Sequence, residues 1–242
     1  MTISAKSWKN YVARLSAINS KAGQLMASWI EVNGTADSAA LISYAYSLAT
    51  KYGEAAATLA CEMYDATALL DGANVSPAEP APTATYEETA IAVQGAKKQG
   101  DMVIPQAVNR LVKMAGQDTT MLNARRDQAW FAWIPNGDTC SFCLTLASRG
   151  WQKQSRKAAK NHAEHIHANC DCAYAVSFSP FGNVEGYDPD KLYEDYMNAD
   201  GKKPKDKINA MRREHYAANK DKINAQKREA YARRKELEQS KD

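Results

Sequence analysis

Two cysteine clusters about 30 residues apart constrain this chain more than any other feature. Cys140-Ser141-Phe142-Cys143 forms the first, and His167-Ala168-Asn169-Cys170-Asp171-Cys172 forms the second. Four of the five cysteines and three of the four histidines lie between Thr139 and Cys172. Cysteines spaced C-x2-C can turn two sulfurs to one side of a tight turn. A second pair, or a His/Cys pair, then completes the tetrahedral shell that zinc favours. The candidate ligands are Cys140, Cys143, His167, Cys170 and Cys172, five residues for four places. His162 and His165 are nearby substitutes, but His167 has the H-x2-C spacing. The expected cofactor is one structural zinc ion, which would fold a segment too polar to fold alone.

Three other chemistries use the same residue types. A redox C-x2-C belongs at the start of a helix after a strand, where a second cysteine pair is surplus. Disulfides need an oxidising compartment, and Lys6, Lys9 and Arg14 interrupt any apolar signal-like run at the start of the sequence. Nucleophilic Cys/His catalysis needs one exposed thiolate rather than two pairs bracketing a histidine.

The run Thr139-Cys140-x-x-Cys143-Leu144-x-Leu146-Ala147-Ser148-Arg149-Gly150, followed by His165-x-His167-Ala168-x-Cys170-Asp171-Cys172, resembles the signature of phage Mu F-like minor head proteins. The likeness is to the variety found in phages of Gram-positive hosts. The commoner closing motif of that family reads H-P-N-C-R-C. This chain departs from it at Ala168 and Asp171 and keeps every candidate ligand. The resemblance covers residues 130–196. It implies a minor head protein of a tailed bacteriophage that associates with portal, scaffold and capsid proteins. Such a protein works in the host cytoplasm during assembly and stays in the capsid interior of the virion. No reaction follows from that role, so no catalytic residue and no small-molecule substrate are expected. Toxin domains appended in some relatives have no room after residue 196.

The rest of the chain predicts a mainly α fold. It comprises a long helical hairpin, shorter helices, a small zinc-stapled α/β module and a basic C-terminal helix. The expected divisions are a helical domain at 1–129, the Cys/His module at 130–200 and the basic tail at 201–242. In residues 4–32, Trp8, Tyr11, Val12, Leu15, Ile18, Ala22, Leu25, Met26, Trp29 and Val32 recur every three or four positions, one face of an amphipathic helix. Ser4 or Ser7 caps it, and Asn33-Gly34 stops it. A second helix capped by Thr35 or Asp37 runs to Leu70, and Asp71-Gly72 ends it. The short link between them predicts an antiparallel pair, each helix roughly 45–50 Å long. Cys61 on the second helix reads as a small buried apolar group.

Pro77, Pro80 and Pro82 mark a linker or an extended crossing over the surface. Helical pattern returns at 86–98, 105–115 and 118–129, with Gly100-Asp101 and Gly116-Gln117 as the expected breaks. Residues 130–134 read as a strand, 144–148 as one or two helical turns and 173–178 as a second strand. The segment 153–160 is a basic loop, either solvated or facing phosphate.

The net charge is +3, unevenly placed. From residue 201 onward about 14 Lys and Arg face about 7 Asp and Glu. The segment beginning Lys205-Asp206-Lys207-Ile208 returns fifteen residues later as Lys220-Asp221-Lys222-Ile223. This tail has too thin an apolar stripe to join the core. It can be a solvated helix, or an arm that meets packaged DNA or the portal. For DNA, Lys207, Arg212, Arg213, Lys222, Lys227 and Arg228 would neutralise phosphates without reading bases. The uncharged stretch 38–50 is too short to cross a bilayer, so no membrane partner is expected.

The rival to a structural role is an enzyme, a nuclease on a zinc-stapled core with His162 or His165 as base. No carboxylate pair or phosphate-binding group stands at a spacing that would complete it. A host DNA-binding regulator is the third reading and lacks a recognition helix.

Overall fold

The computed structural model describes residues 2–136, 141–153, 172–179 and 182–199. The chain divides into two compact units, Met1–Tyr193 and Glu194–Asp242. Of the second, only residues 194–199 are described. The expected basic helix at 201–242 therefore lies outside the described residues.

The fold is mainly helical with small sheets. Helix α1 (Ala5–Asn33) starts where the Ser4 hydroxyl accepts from Ser7 N at 3.1 Å. It ends at Gly34, whose φ of 69° needs a residue without a Cβ. Helix α2 (Ser38–Asp71) starts where the Asp37 carboxylate accepts from Ala39 N and Ala40 N, both at 3.0 Å. Gly72 ends it in the left-handed region, and Ala73 N reaches back to Ala68 O at 2.9 Å. Trp8, Tyr11, Val12, Leu15, Ala22 and Met26 of α1 are buried as the spacing requires. Val32, on the same predicted stripe, is instead 84% exposed.

The long helix α4 (Ile104–Arg126) packs against both α1 and α2, with α3 (Tyr86–Lys97) beside it and a 3-10 turn (Asp101–Val103) leading in. Here the expected break at Gly116-Gln117 is wrong, because α4 runs straight through it. Glycine costs about 1 kcal/mol of helix propensity. The close approach of two helices offsets that cost. A Cβ on Gly116 would stand 3.3 Å from the Ala56 carbonyl oxygen of α2 and 3.5 Å from the Leu15 side chain of α1. Packing therefore decided a position that local propensity misread.

The proline-rich segment does cross the surface in extended form, fixed by side chains of α4. Asn123 accepts from Glu79 N at 2.9 Å and donates to Glu79 O at 2.8 Å, as a neighbouring strand would. Thr119 accepts from Ala81 N at 2.9 Å. The Arg126 guanidinium donates to Ser76 O at 2.7 Å and Pro77 O at 3.0 Å. Thr85 and Glu88 then close a capping box that starts α3.

Strand β2 (Trp130–Ile134) is central in a three-stranded antiparallel sheet, between β3 (Gln152–Lys153) and β4 (Ala173–Ser177). Opposite Phe131 stand Gln152 and Val176, and opposite Trp133 stands Tyr174. Every residue of β4 is buried. Ala132, Ile134, Ala173 and Ala175 face the helical core, while Phe131, Trp133 and Tyr174 face a second apolar cluster. A further two-stranded sheet joins distant parts of the sequence. Strand β1 (Thr2–Ile3) pairs in parallel with β5 (Asn183–Val184). Glu185 N donates to Ile3 O and Ala5 N donates to the Glu185 carboxylate, both at 2.9 Å. The last described element is α6 (Pro189–Ala199).

Candidate metal centre

Residues 141–143 of the motif's first half open α5 (Ser141–Ala147), which follows β2 and packs against it. Cys143 lies on this helix and is 2% exposed. Gly150 stops the turn beyond it with a φ of 66°. The Tyr187 hydroxyl holds the helix end, donating to the Ala147 carbonyl at 2.5 Å. From the second half, Cys172 stands immediately before β4 and is 1% exposed.

Cys143 and Cys172 belong to the same apolar cluster, with Phe131, Trp133, Leu146, Ala147 and Tyr174. One cysteine from each half of the motif is thus buried beside the same sheet face. Tyr174 stacks edge-on against Trp133, with ring centroids 4.6 Å apart, and against Phe131 at 5.6 Å. Burial pushes the Tyr174 hydroxyl well above its ordinary range, with smaller contributions from the Asp118 and Cys143 charges. A buried apolar setting holds a thiolate poorly unless a cation compensates it.

The backbone on both sides of Ala173 is held from α4. Gln117 Nε2 donates to Cys172 O at 3.3 Å, and Tyr174 N donates to Gln117 Oε1 at 3.1 Å. These two bonds come from one side-chain amide, which grips the start of β4 as a neighbouring strand would. Gln117 is 3% exposed, and its position looked like a break between helices. Nothing local in the sequence marks it, since its partners lie more than fifty residues away.

Of the five candidate ligands, Cys143 and Cys172 are described. Cys140, His167 and Cys170 lie outside the described residues, as do His162, His165 and all six basic residues assigned to the tail. Among the described residues alone, no three of His, Cys, Asp or Glu gather as a metal-holding group. Two sulfurs from opposite halves of the motif, in one water-poor cluster, fit the chemistry of half a zinc–thiolate shell. Cys61 is half-buried on α2, less enclosed than expected; burial and then the Asp65 charge push its thiol up.

Elsewhere, two carboxylates are set apart by their surroundings. Arg126 bonds to Asp127 and holds its carboxyl below the usual range, with Tyr64 donating to the same group at 2.8 Å. Asp118 is pushed up to about 6 by burial, with a smaller contribution from Glu88.

A family profile described as VG15 protein matches residues 2–199. The chain belongs to the VG15 protein family. VG15 is a viral family, so this is a phage-encoded protein. The VG15 match spans the helices, the sheets and both halves of the cysteine motif, and it stops before the basic tail. No curated protein and no solved structure matches the chain.

Proposed function

We propose that this VG15 protein is a structural minor head protein of a tailed bacteriophage, of the Mu F-like kind. It enters the procapsid with the portal and scaffold proteins and remains in the capsid interior, without catalysing a reaction. The observation that carries this reading is the burial of Cys143 and Cys172 in one apolar cluster. Thiols enclosed in this way suit a structural staple, whereas a catalytic thiolate needs access. Membership of a phage family, and the signature at 139–172, support the same role.

Zinc is proposed as the ion of that staple. Cys143 and Cys172 would hold it with two of Cys140, His167 and Cys170. A folded module closed by metal adds a rigid surface at little cost in chain length. The portal, the scaffold and the capsid are the proposed protein partners, and packaged DNA is the proposed partner of the tail. No membrane partner is proposed; among the described residues no helix is long and apolar enough to cross a bilayer.

Quantitative mass analysis of purified virions tests the role. A few copies of this chain in each particle are expected. Virions that lack the chain altogether would overturn the assignment. Magnesium-dependent cleavage of DNA, lost in His165→Ala, would replace it with the nuclease reading.

A further inference from the structure

Helices α1 and α4 leave a cleft between them with room for a body about the size of one water molecule. Val12, Leu15 and Ala173 give it an apolar lining, and Asn19, Lys113 and Cys172 line it as well. Lys113 is 6% exposed and Cys172 1% exposed. Neither Lys113 Nζ nor Asn19 Oδ1 has a hydrogen-bond partner among the described residues. Gln117, one turn beyond Lys113 on α4, bonds to the backbone of Cys172 and Tyr174. Lys113 therefore stands on the same face of α4 that grips the start of β4.

The two unpaired atoms complement each other. An ammonium group has only donors, and Asn19 Oδ1 is an acceptor. One water between them accepts from the first and donates to the second, which the room in the cleft allows. Hydrogen bonding is then met, but the charge is not. Burying an ammonium without a counter-charge is expensive. Of the described residues that line the cleft none is a carboxylate, and Cys172 is the one suited to carry a negative charge there. Its sulfur does so as a thiolate when it ligates zinc. The proposed shell joins Cys143 and Cys172 to two of Cys140, His167 and Cys170. Zinc's two positive charges then meet three or four thiolates, so every choice leaves a net negative charge. A negative centre enclosed beside Phe131, Trp133 and Tyr174 lacks what the enclosed lysine supplies.

We propose that Lys113 is the buried counter-cation of the zinc–thiolate centre, acting across the cleft on Cys172. The inference rests on the zinc staple proposed above. Lys113 is a positioning residue rather than a ligand. It balances the charge of the sulfurs and so raises their affinity for the metal, an effect that groups around a metal shell commonly exert by about 10–100-fold.

Zinc affinity of the full chain, read by competition with a chromophoric chelator under reducing conditions, tests this. Lys113→Met, close in volume and uncharged, should weaken zinc binding by about 10–100-fold. Leu15→Ala opens the same cleft and keeps the charge, so its zinc affinity should stay close to that of the unsubstituted protein. Cobalt(II) in place of zinc gives a readout that packing does not move. Removing a nearby positive charge raises the energy of the sulfur electrons. The sulfur-to-cobalt charge-transfer band should therefore shift to longer wavelength in Lys113→Met and stay in place in Leu15→Ala. A crystal structure of the zinc-loaded unsubstituted protein needs no variant, and Lys113 Nζ is expected inside the cleft with no carboxylate bonded to it. Equal zinc affinity in Lys113→Met and the unsubstituted protein would overturn the proposal and leave the staple standing. So would an equal loss in Lys113→Met and Leu15→Ala, or a carboxylate paired with Lys113 Nζ. Unsubstituted protein that folds without zinc would remove the staple, and this proposal with it.

Discussion

The side-chain amide of Gln117 donates to the carbonyl of Cys172 at 3.3 Å, so a residue in the middle of a helix fixes the backbone of a candidate metal ligand. Gln117→Leu would remove the bonds that Gln117 makes to the Cys172 carbonyl and the Tyr174 N–H. The expected cost is about 2–4 kcal/mol, from two lost buried hydrogen bonds at about 1–3 kcal/mol each with partial relaxation. Urea unfolding with an unchanged slope measures it. Gln117→Glu keeps the acceptor but, when ionised, sets a buried charge against the Cys172 carbonyl, so at neutral pH it should cost at least as much as Gln117→Leu.

Metal content tests the cysteine pairing. Protein purified under reducing conditions should carry about one zinc per chain, as closed four-ligand sites do. Cys143→Ser and Cys172→Ser should each lower the zinc content and the stability of the sheet region, while Cys61→Ser should leave the zinc unchanged. Well-folded protein without bound metal in elemental analysis would refute the staple.

Asn123→Ala should loosen the proline-rich crossing without unfolding the hairpin. The substitution removes both bonds to Glu79, at an expected cost of about 1–3 kcal/mol. Hydrogen exchange should speed up most at the Glu79 amide. Uniform acceleration through α1 and α2 would show instead that the crossing is part of the main cooperative unit.

Asp118 predicts a pH dependence. Its folded-state value of about 6 stands above that of the unfolded chain, near 3.8. The native state therefore binds more protons than the unfolded state between those values. Stability should be full below about pH 4 and decline as pH rises through about 6, by roughly 2–3 kcal/mol for this group. Asp118→Asn should flatten the profile across that window in calorimetry at several pH values.

The basic tail makes a separate prediction. Binding of the full chain to duplex DNA should weaken steeply with salt and show little sequence preference, and deletion of residues 202–242 should remove it. If the portal is the partner instead, deletion should block incorporation into particles, while the isolated tail ignores DNA at physiological salt. A truncated protein that no longer folds would defeat both versions.

Much of the helical hairpin was legible because its signals are local. Ser4, Asp37 and Gly72 act within four residues of where they stand, and the apolar period of 3.6 survives any tertiary arrangement. Strand β2 was legible for a related reason, since five apolar residues in a row are bounded by turn formers. Gly116 misled because its reason for being glycine is the Ala56 carbonyl of another helix. Strands β1, β3 and β5 have two residues each, too few for alternation to show. In the candidate site, residue types and spacing pointed to Cys143 and Cys172. The supporting Gln117 carried no signal of its own.

The pairing of Thr2–Ile3 with Asn183–Val184 fixes an order of events during synthesis. The first strand leaves the ribosome long before its partner exists, because about 180 residues separate Ala5 from the Glu185 carboxylate that it meets. At 5–20 residues per second that interval is roughly 9–36 s. Helices form in about a microsecond, so α1 and α2 have ample time to zip together while the opening strand waits unpaired. Its closure comes as a late latch, made only once nearly all of the first compact unit has been translated.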